Sequence, residues 1–191
     1  MNKRKPEHPI NQLIINRWSP RAMSGESISE EELMPLFEAA RWAPSSYNNQ
    51  PWRFLYGKRK TPHFQKLFDL LVNFNKRWCE NAAVLGLILS KKNFEHNGKP
   101  SITHSLDTGA AWGNLSLEGS GRDLVVHGMQ GFDYERAKSE FNIPDEYEVL
   151  AMFAVGKKAS KESLPPDLQE REAPSARKPL AEIISEGVFK F

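Results

Sequence analysis

Apolar residues recur along this chain in two rhythms. After Ser29, Leu33, Leu36, Phe37 and Ala40 fall three and four positions apart, which puts them on one face of a helix. Ser27 or Ser29 can cap that helix, and glutamates fill its first turn. Pro35 sits near its start, and Pro44 forces it to stop because Ala43 before it is disfavoured in helical backbone. Ile10, Leu13, Ile14 and Ile15 predict a short helix ending near Asn16–Arg17. Further helices are expected over Thr61–Phe74, with Phe64, Leu67, Phe68 and Leu71 inward, over Ile102–Glu118, and over Tyr134–Phe141. The second rhythm is that of strands. Trp52–Gly57 alternates and is rich in aromatics, Ala82–Ser90 and Tyr147–Val155 are continuous apolar runs, and Asp123–His127 is a short strand. Helices come first, then strands and helices mixed, with no internal repeat. This order implies an α+β fold with a central sheet.

Two segments break the pattern. The helix expected over Ile102–Glu118 carries Gly109, Ala110, Ala111 and Gly113, and each glycine costs roughly 1 kcal/mol against alanine. Either another helix approaches it closely or it is a mediocre helix with no special neighbour. After Gly156 the chain becomes charged and proline-bearing, with too little apolar surface to fold by itself. Leu180, Ile183 and Ile184 offer it a small apolar anchor.

Composition narrows the class. The 191 residues fit one domain, and 39% hydrophobic with 26% charged residues is a globular balance. A net charge of +2 gives no field that would draw nucleic acid, and the clusters Asn2–Lys5 and Gly57–Lys60 read as a solvated terminus and a solvated loop. The lone Cys79 excludes an internal disulfide and a cysteine zinc site and suits a reducing cytoplasm. No histidine near it in sequence supports a catalytic thiol, so it reads as a partly buried spectator. The longest apolar run, Ala82–Leu89, falls short of the roughly 20 residues of a membrane helix, and the N-terminus lacks an apolar signal core. The expectation is a cytoplasmic protein with neither membrane nor nucleic-acid partners.

Several chemistries lack their motifs. The glycines of Gly119–Gly121 have no third member and precede a strand, which is the wrong context for a dinucleotide fingerprint. A P-loop and a nucleophile elbow are missing, and His8, His63, His96, His104 and His127 show no metal-ligand spacing. Two stretches remain. In "NRWSPR", Arg17 and Arg21 flank Ser19, and two permanently charged guanidiniums with a hydroxyl suit a phosphate. In "RWAPSSYNNQPWRF", Pro44, Ser45, Ser46, Asn48 and Gln50 crowd small polar groups between two apolar elements.

Together with "HGMQGFD" and "ARKPLAEII", these stretches resemble the nitroreductase family of FMN-dependent oxidoreductases in order and spacing from Asn11 to Ile184. The resemblance implies one nitroreductase-like domain over 1–191, a mostly antiparallel sheet flanked by helices, and an intertwined homodimer whose 157–191 extension wraps the partner. It implies that Arg17 and Ser19 face the FMN phosphate, with Arg177 and Lys178 closing on it from the tail. Arg21 would reach the ribityl and the N1/O2 edge, and Asn75 the pyrimidine edge. Gln130 and Gly131 would set a backbone N–H near N5, with Met129 beside the ring. Pro44, Ser45, Ser46, Asn48 and Gln50 would come from the second subunit. Many relatives carry lysine three positions after that asparagine and glutamate before that glycine; this chain carries Trp78 and Gln130. The implied reaction is ping-pong hydride transfer from NADH or NADPH through FMN to a nitroaromatic, quinone or similar acceptor, without a catalytic side chain or a metal. Other implied outcomes are a flavoenzyme with a dedicated substrate, by reductive dehalogenation or flavin breakdown, and a flavin carrier or regulator without turnover. His127, at a strand end, reads as structural.

Overall fold

Four antiparallel strands order the chain. In the computed structural model, which describes residues 4–191, β1 (Trp52–Lys58), β2 (Val84–Lys91), β3 (Leu124–Met129) and β4 (Tyr147–Lys157) lie in the order β1–β2–β4–β3. Residues 2 and 3 of the first basic cluster lie outside the described residues. Strands β2 and β4 are central and covered on both faces, which is why they read as apolar runs rather than alternations.

Each face of the sheet has its own core. Leu85, Leu87 and Leu89 pack with Phe64, Leu67, Leu70, Trp78, Met152 and Ala154 on one side. Val84 and Ile88 pack with Leu33, Leu36, Ala40, Leu115, Phe153 and Val155 on the other. Gly86 sits where Phe153 crosses β2: a Cβ there would stand 2.4 Å from the Phe153 ring and 2.6 Å from the Leu55 carbonyl oxygen.

Among the described residues seven α-helices accompany the sheet: α1 (Gln12–Asn16), α2 (Glu30–Arg41), α3 (Pro62–Leu70), α4 (Asn73–Cys79), α5 (His104–Gly121), α6 (Tyr134–Glu140) and α7 (Pro166–Gln169). Ser29 rather than Ser27 caps α2, in a reciprocal box with Glu32. Pro35 stands inside α2. Among the described residues the apolar face of α1 stays largely open, for Ile10, Leu13 and Ile14 are all exposed.

The single helix expected over Thr61–Phe74 is two helices. Leu71 is extended and bridges Phe132, while Val72 N–H donates to Gly131 O and Asp133 N–H to Leu70 O. These long-range bonds outcompete continued helix and turn the next helix, α4, so that Asn75, Trp78 and Cys79 point inward. Helix α5 runs past Glu118, so Gly119–Gly121 form its last turn. Gly119 lies against Val126 and Leu36, whereas Gly109 and Gly113 face open space. Strands β2, β3 and β4 end one or two residues later than the apolar pattern indicated, because their ladders continue to Lys91, Met129 and Lys157.

Two basic clusters prove less solvated than their composition suggests. Arg59 donates to the Glu80 and Ala82 carbonyls, and Lys58 pairs with Glu30. Arg4 donates to main-chain carbonyls. The tail divides in two. Leu164 and Leu168 enter the core of their own chain, and Asp167 pairs with Arg77 of α4 at 2.5 Å. Beyond residue 172, Leu180 is half-buried and Ile183 and Ile184 are exposed. Among the described residues no helix is long and apolar enough to cross a membrane.

Candidate functional site

The chain leaves α1 at Arg17, whose N–H closes the helix on Leu13 O and whose backbone is extended. Three guanidiniums meet there. Arg4 Nη1 donates to Ile15 O at 2.6 Å and Arg17 O at 2.5 Å, and its Nε donates to Ser175 O at 3.1 Å. Arg177 lies close enough to disturb both Arg4 and Arg17. Each of these two is held below the usual guanidinium range, first by burial and then by repulsion from Arg177. Arg4, Lys5, Arg17, Arg177 and Lys178 line one cavity of about 530 Å³, with an apolar wall that includes Ile14, Ile15 and Leu180. Crowded like charges of this kind favour an anion with several oxygens, and the guanidinium fork fits a phosphate. Ser19 joins through its Oγ, which accepts from Arg17 Nη1 at 3.4 Å. Arg177 Nη1 donates within its own segment, to Ser175 and Ala176.

Arg21 takes a different direction. Its Nη1 lies 3.9 Å from Glu172 Oε2, and Glu172 Oε1 accepts from the backbone N–H of Arg21 and Ala22. Between them, Pro20 O accepts from His127 Nδ1 at 2.7 Å. A carbonyl can only accept, so Nδ1 carries the proton. Burial pushes the His127 imidazolium down to about 4, with the Pro20 bond opposing and Arg21 reinforcing.

A buried chain of contacts leads onward from His127. Its ring lies 4.5 Å from that of Trp78, Trp78 Nε1 donates to Asn75 Oδ1 at 3.3 Å, and Asn75 Nδ2 donates to Gly131 O at 3.0 Å. Asn75 and Gly131 are thus neighbours across the α4–β3 junction. A Cβ on Gly131 would stand 2.7 Å from Asn75 Nδ2, so a glycine is needed for this approach. Gln130 is exposed beside them. Met129, expected beside a ring, turns its side chain inward to within 3.7 Å of Cys79 Sγ because the alternation of β3 points that position into the core. Cys79 is wholly buried rather than partly so, and burial raises its thiol well above the ordinary range.

The serine–asparagine loop lies apart from the arginines. Tyr47, Asn48 and Gln50 all have φ near +50°, the left-handed region that side chains other than glycine rarely adopt. Strain of this kind persists only where surroundings impose it. Ser46 N–H donates to Asp107 Oδ2 of α5 at 3.1 Å, Gln50 N–H to Ser45 Oγ at 3.0 Å, and Gln50 Nε2 to Asn48 O at 3.0 Å. Pro44 and Ser45 line an open cleft of about 650 Å³ with Leu106, Asp107, Gly109 and Ala110. Within one chain this cleft and the arginine cavity share no lining residue. Among the described residues no cluster of histidine, cysteine and carboxylates could hold a metal.

Sequence reasoning missed Arg4, Asp107 and Glu172. Arg4 looked like part of a solvated terminus, Asp107 has no local signal, and Glu172 is one carboxylate among many in the tail.

Residues 14–61 match the model of the nitroreductase family. Over the whole chain, a solved structure described as an oxidoreductase containing FMN superposes with a TM-score of 0.94 at 40% identity, covering 100% of this chain and 98% of that one. A nitroreductase family protein of Clostridium difficile 630 shares the fold, with a TM-score of 0.72, 21% identity, and coverage of 93% and 98%. The oxygen-insensitive NADPH nitroreductase of Helicobacter acinonychis (strain Sheeba) is 38% identical over 85 residues, 44% of this chain and 40% of that protein.

Proposed function

This chain belongs to the nitroreductase family, and from that premise we propose that it is an NAD(P)H-dependent FMN oxidoreductase working as a homodimer. The observation that carries the reading is the meeting of Arg17 and Arg177, from opposite ends of the chain, on one cationic cavity. Their mutual repulsion is relieved by a phosphate dianion, so the donor set fits FMN. Arg17, Ser19, Arg177 and Lys178 hold that phosphate, and Arg4 orients them by fixing the carbonyls of Ile15, Arg17 and Ser175.

Arg21 supplies a cation toward the ribityl and pyrimidine. Asn75 serves the pyrimidine edge, and the backbones of Gln130 and Gly131 serve the ring centre, with Met129 contributing only its main chain. Pro44, Ser45, Ser46, Asn48 and Gln50 complete the site from the second chain. Separate cavities within one protomer and the open face at Gly109 and Gly113 support that two-chain assembly. The segment after residue 172, with Ile183 and Ile184 exposed, is suited to reach the partner.

Held by these residues, FMN would supply hydride chemistry between NADH or NADPH and a nitroaromatic, quinone or similar electron-poor acceptor. The chain's own residues bind, orient and keep water from the ring, and no side chain is required as an acid. Anaerobic addition of NADH or NADPH to the FMN-loaded protein tests the reading. Bleaching of the oxidised flavin absorbance, reversed by a quinone, is expected; a flavin that stays oxidised over minutes overturns it.

A further inference from the structure

Glu172 ties the charged tail to the arginine loop. Its side chain is 4% exposed although its sequence neighbours are solvated. Oε1 accepts from Arg21 N–H at 2.7 Å and from Ala22 N–H at 2.9 Å. Oε2 lies 3.9 Å from Arg21 Nη1, and Oε2 and Arg21 Nε are both buried without a hydrogen-bond partner. Five residues further on stands Arg177, which repels Arg17.

We propose that Glu172 is a positioning residue with two separable effects on the flavin. Through Oε1 it fastens the tail to the backbone of the arginine loop, so that Arg177 is held beside Arg17. Through Oε2 it offsets part of the Arg21 charge. The proposal rests on the FMN reading and adds a direction to it. An uncompensated cation near the pyrimidine favours the reduced, more negative flavin, and a carboxylate at 3.9 Å subtracts from that preference. Glu172 therefore strengthens flavin binding while lowering its reduction potential.

Two substitutions in the full chain separate the effects. Glu172→Gln keeps a carbonyl for both N–H groups and replaces an oxygen that accepts no bond, so the charge is lost while both backbone contacts remain. Its FMN dissociation constant is expected to stay within about threefold of wild type. Its midpoint potential is expected to rise by ~30 mV, which is tenfold tighter relative binding of the reduced form for a two-electron couple. Glu172→Ala removes both contacts. FMN should bind about tenfold more weakly, and in the flavin-free chain the Arg21 and Ala22 amides should exchange with solvent about tenfold faster.

Equal loss of affinity in both variants with an unmoved potential overturns the proposal. So does unchanged amide exchange in Glu172→Ala while the wild-type chain takes up FMN normally. A wild-type chain that takes up no FMN, with exchange in Glu172→Ala still accelerated, overturns the functional reading and the redox half of this one.

Discussion

His127 donates from Nδ1 to the carbonyl oxygen of Pro20 at 2.7 Å, joining the strand beneath the proposed ring site to the loop that carries Arg17 and Arg21. Burial holds the imidazole neutral to about pH 4, against an ordinary value near 6.5. A folded pKa below the unfolded one means that the unfolded chain binds the extra proton first. Stability is then full above about pH 6.5 and falls as the pH drops toward 4, by about 3 kcal/mol in all. His127→Asn keeps a donor for Pro20 and does not titrate. Urea unfolding at pH 7.5 and pH 4.5 is expected to give a smaller stability loss on acidification for this variant than for wild type; equal losses would mean that another group governs the acid limb.

The arginine cavity makes a second prediction. Charge-assisted hydrogen bonds contribute ~1.5–3 kcal/mol each, so Arg17→Ala with Arg177→Ala should weaken FMN binding by about a hundredfold or more. Arg4→Ala should cost less, because Arg4 donates to the carbonyls of Ile15, Arg17 and Ser175 and so acts through Arg17 and the tail. Fluorescence titration at several salt concentrations checks this. Equal affinity for the double variant and wild type would place the phosphate elsewhere.

Asp107 gives a third. Its Oδ2 accepts from Ser46 N–H and from Thr103 Oγ1, tying the strained loop to α5. Asp107→Leu leaves a donor unsatisfied at a cost of ~1–3 kcal/mol, whereas Asp107→Asn retains an acceptor oxygen and should cost under ~1 kcal/mol. Thermal unfolding ranks the two, and FMN affinity should follow the same order if, as proposed, Ser45, Ser46 and Asn48 complete the site of a second chain. Identical affinities alongside different stabilities would separate the loop from the flavin.

Legibility in the sequence followed the range of the interaction. Helix α2 was readable to within two candidate caps, Ser27 and Ser29, because the cap, the acidic first turn and the Leu33–Ala40 stripe are all local. Strands β1 to β4 were all readable as strands, β2 and β4 as buried runs, though not the order β1–β2–β4–β3 in which they pair. The break between α3 and α4 was not readable, since it is made by Phe132, Gly131 and Asp133 from a distant segment. The same holds for the site. Arg17, Ser19 and the serine–asparagine loop stand out as compact motifs, while Arg4 and Glu172 gain their roles only when both termini fold back onto the arginine loop.

The contact between Gly86 and Phe153 supplies the last prediction. A methyl at position 86 would meet a ring atom at 2.4 Å and the Leu55 carbonyl oxygen at 2.6 Å, in the most buried strand of the sheet. Overpacking typically costs ~1–3 kcal/mol, and here one neighbour is main chain that cannot rotate away. Gly86→Ala should therefore fall at or above the top of that range in denaturant unfolding. Phe153→Leu alone opens a cavity at a cost of its own. Combining the two should be less than additive, because the shorter side chain frees the space beside the new methyl. Recovery should stay partial, because Leu55 O remains in place whichever residue stands at 153. Strict additivity would mean that the ring is not what excludes a side chain at position 86.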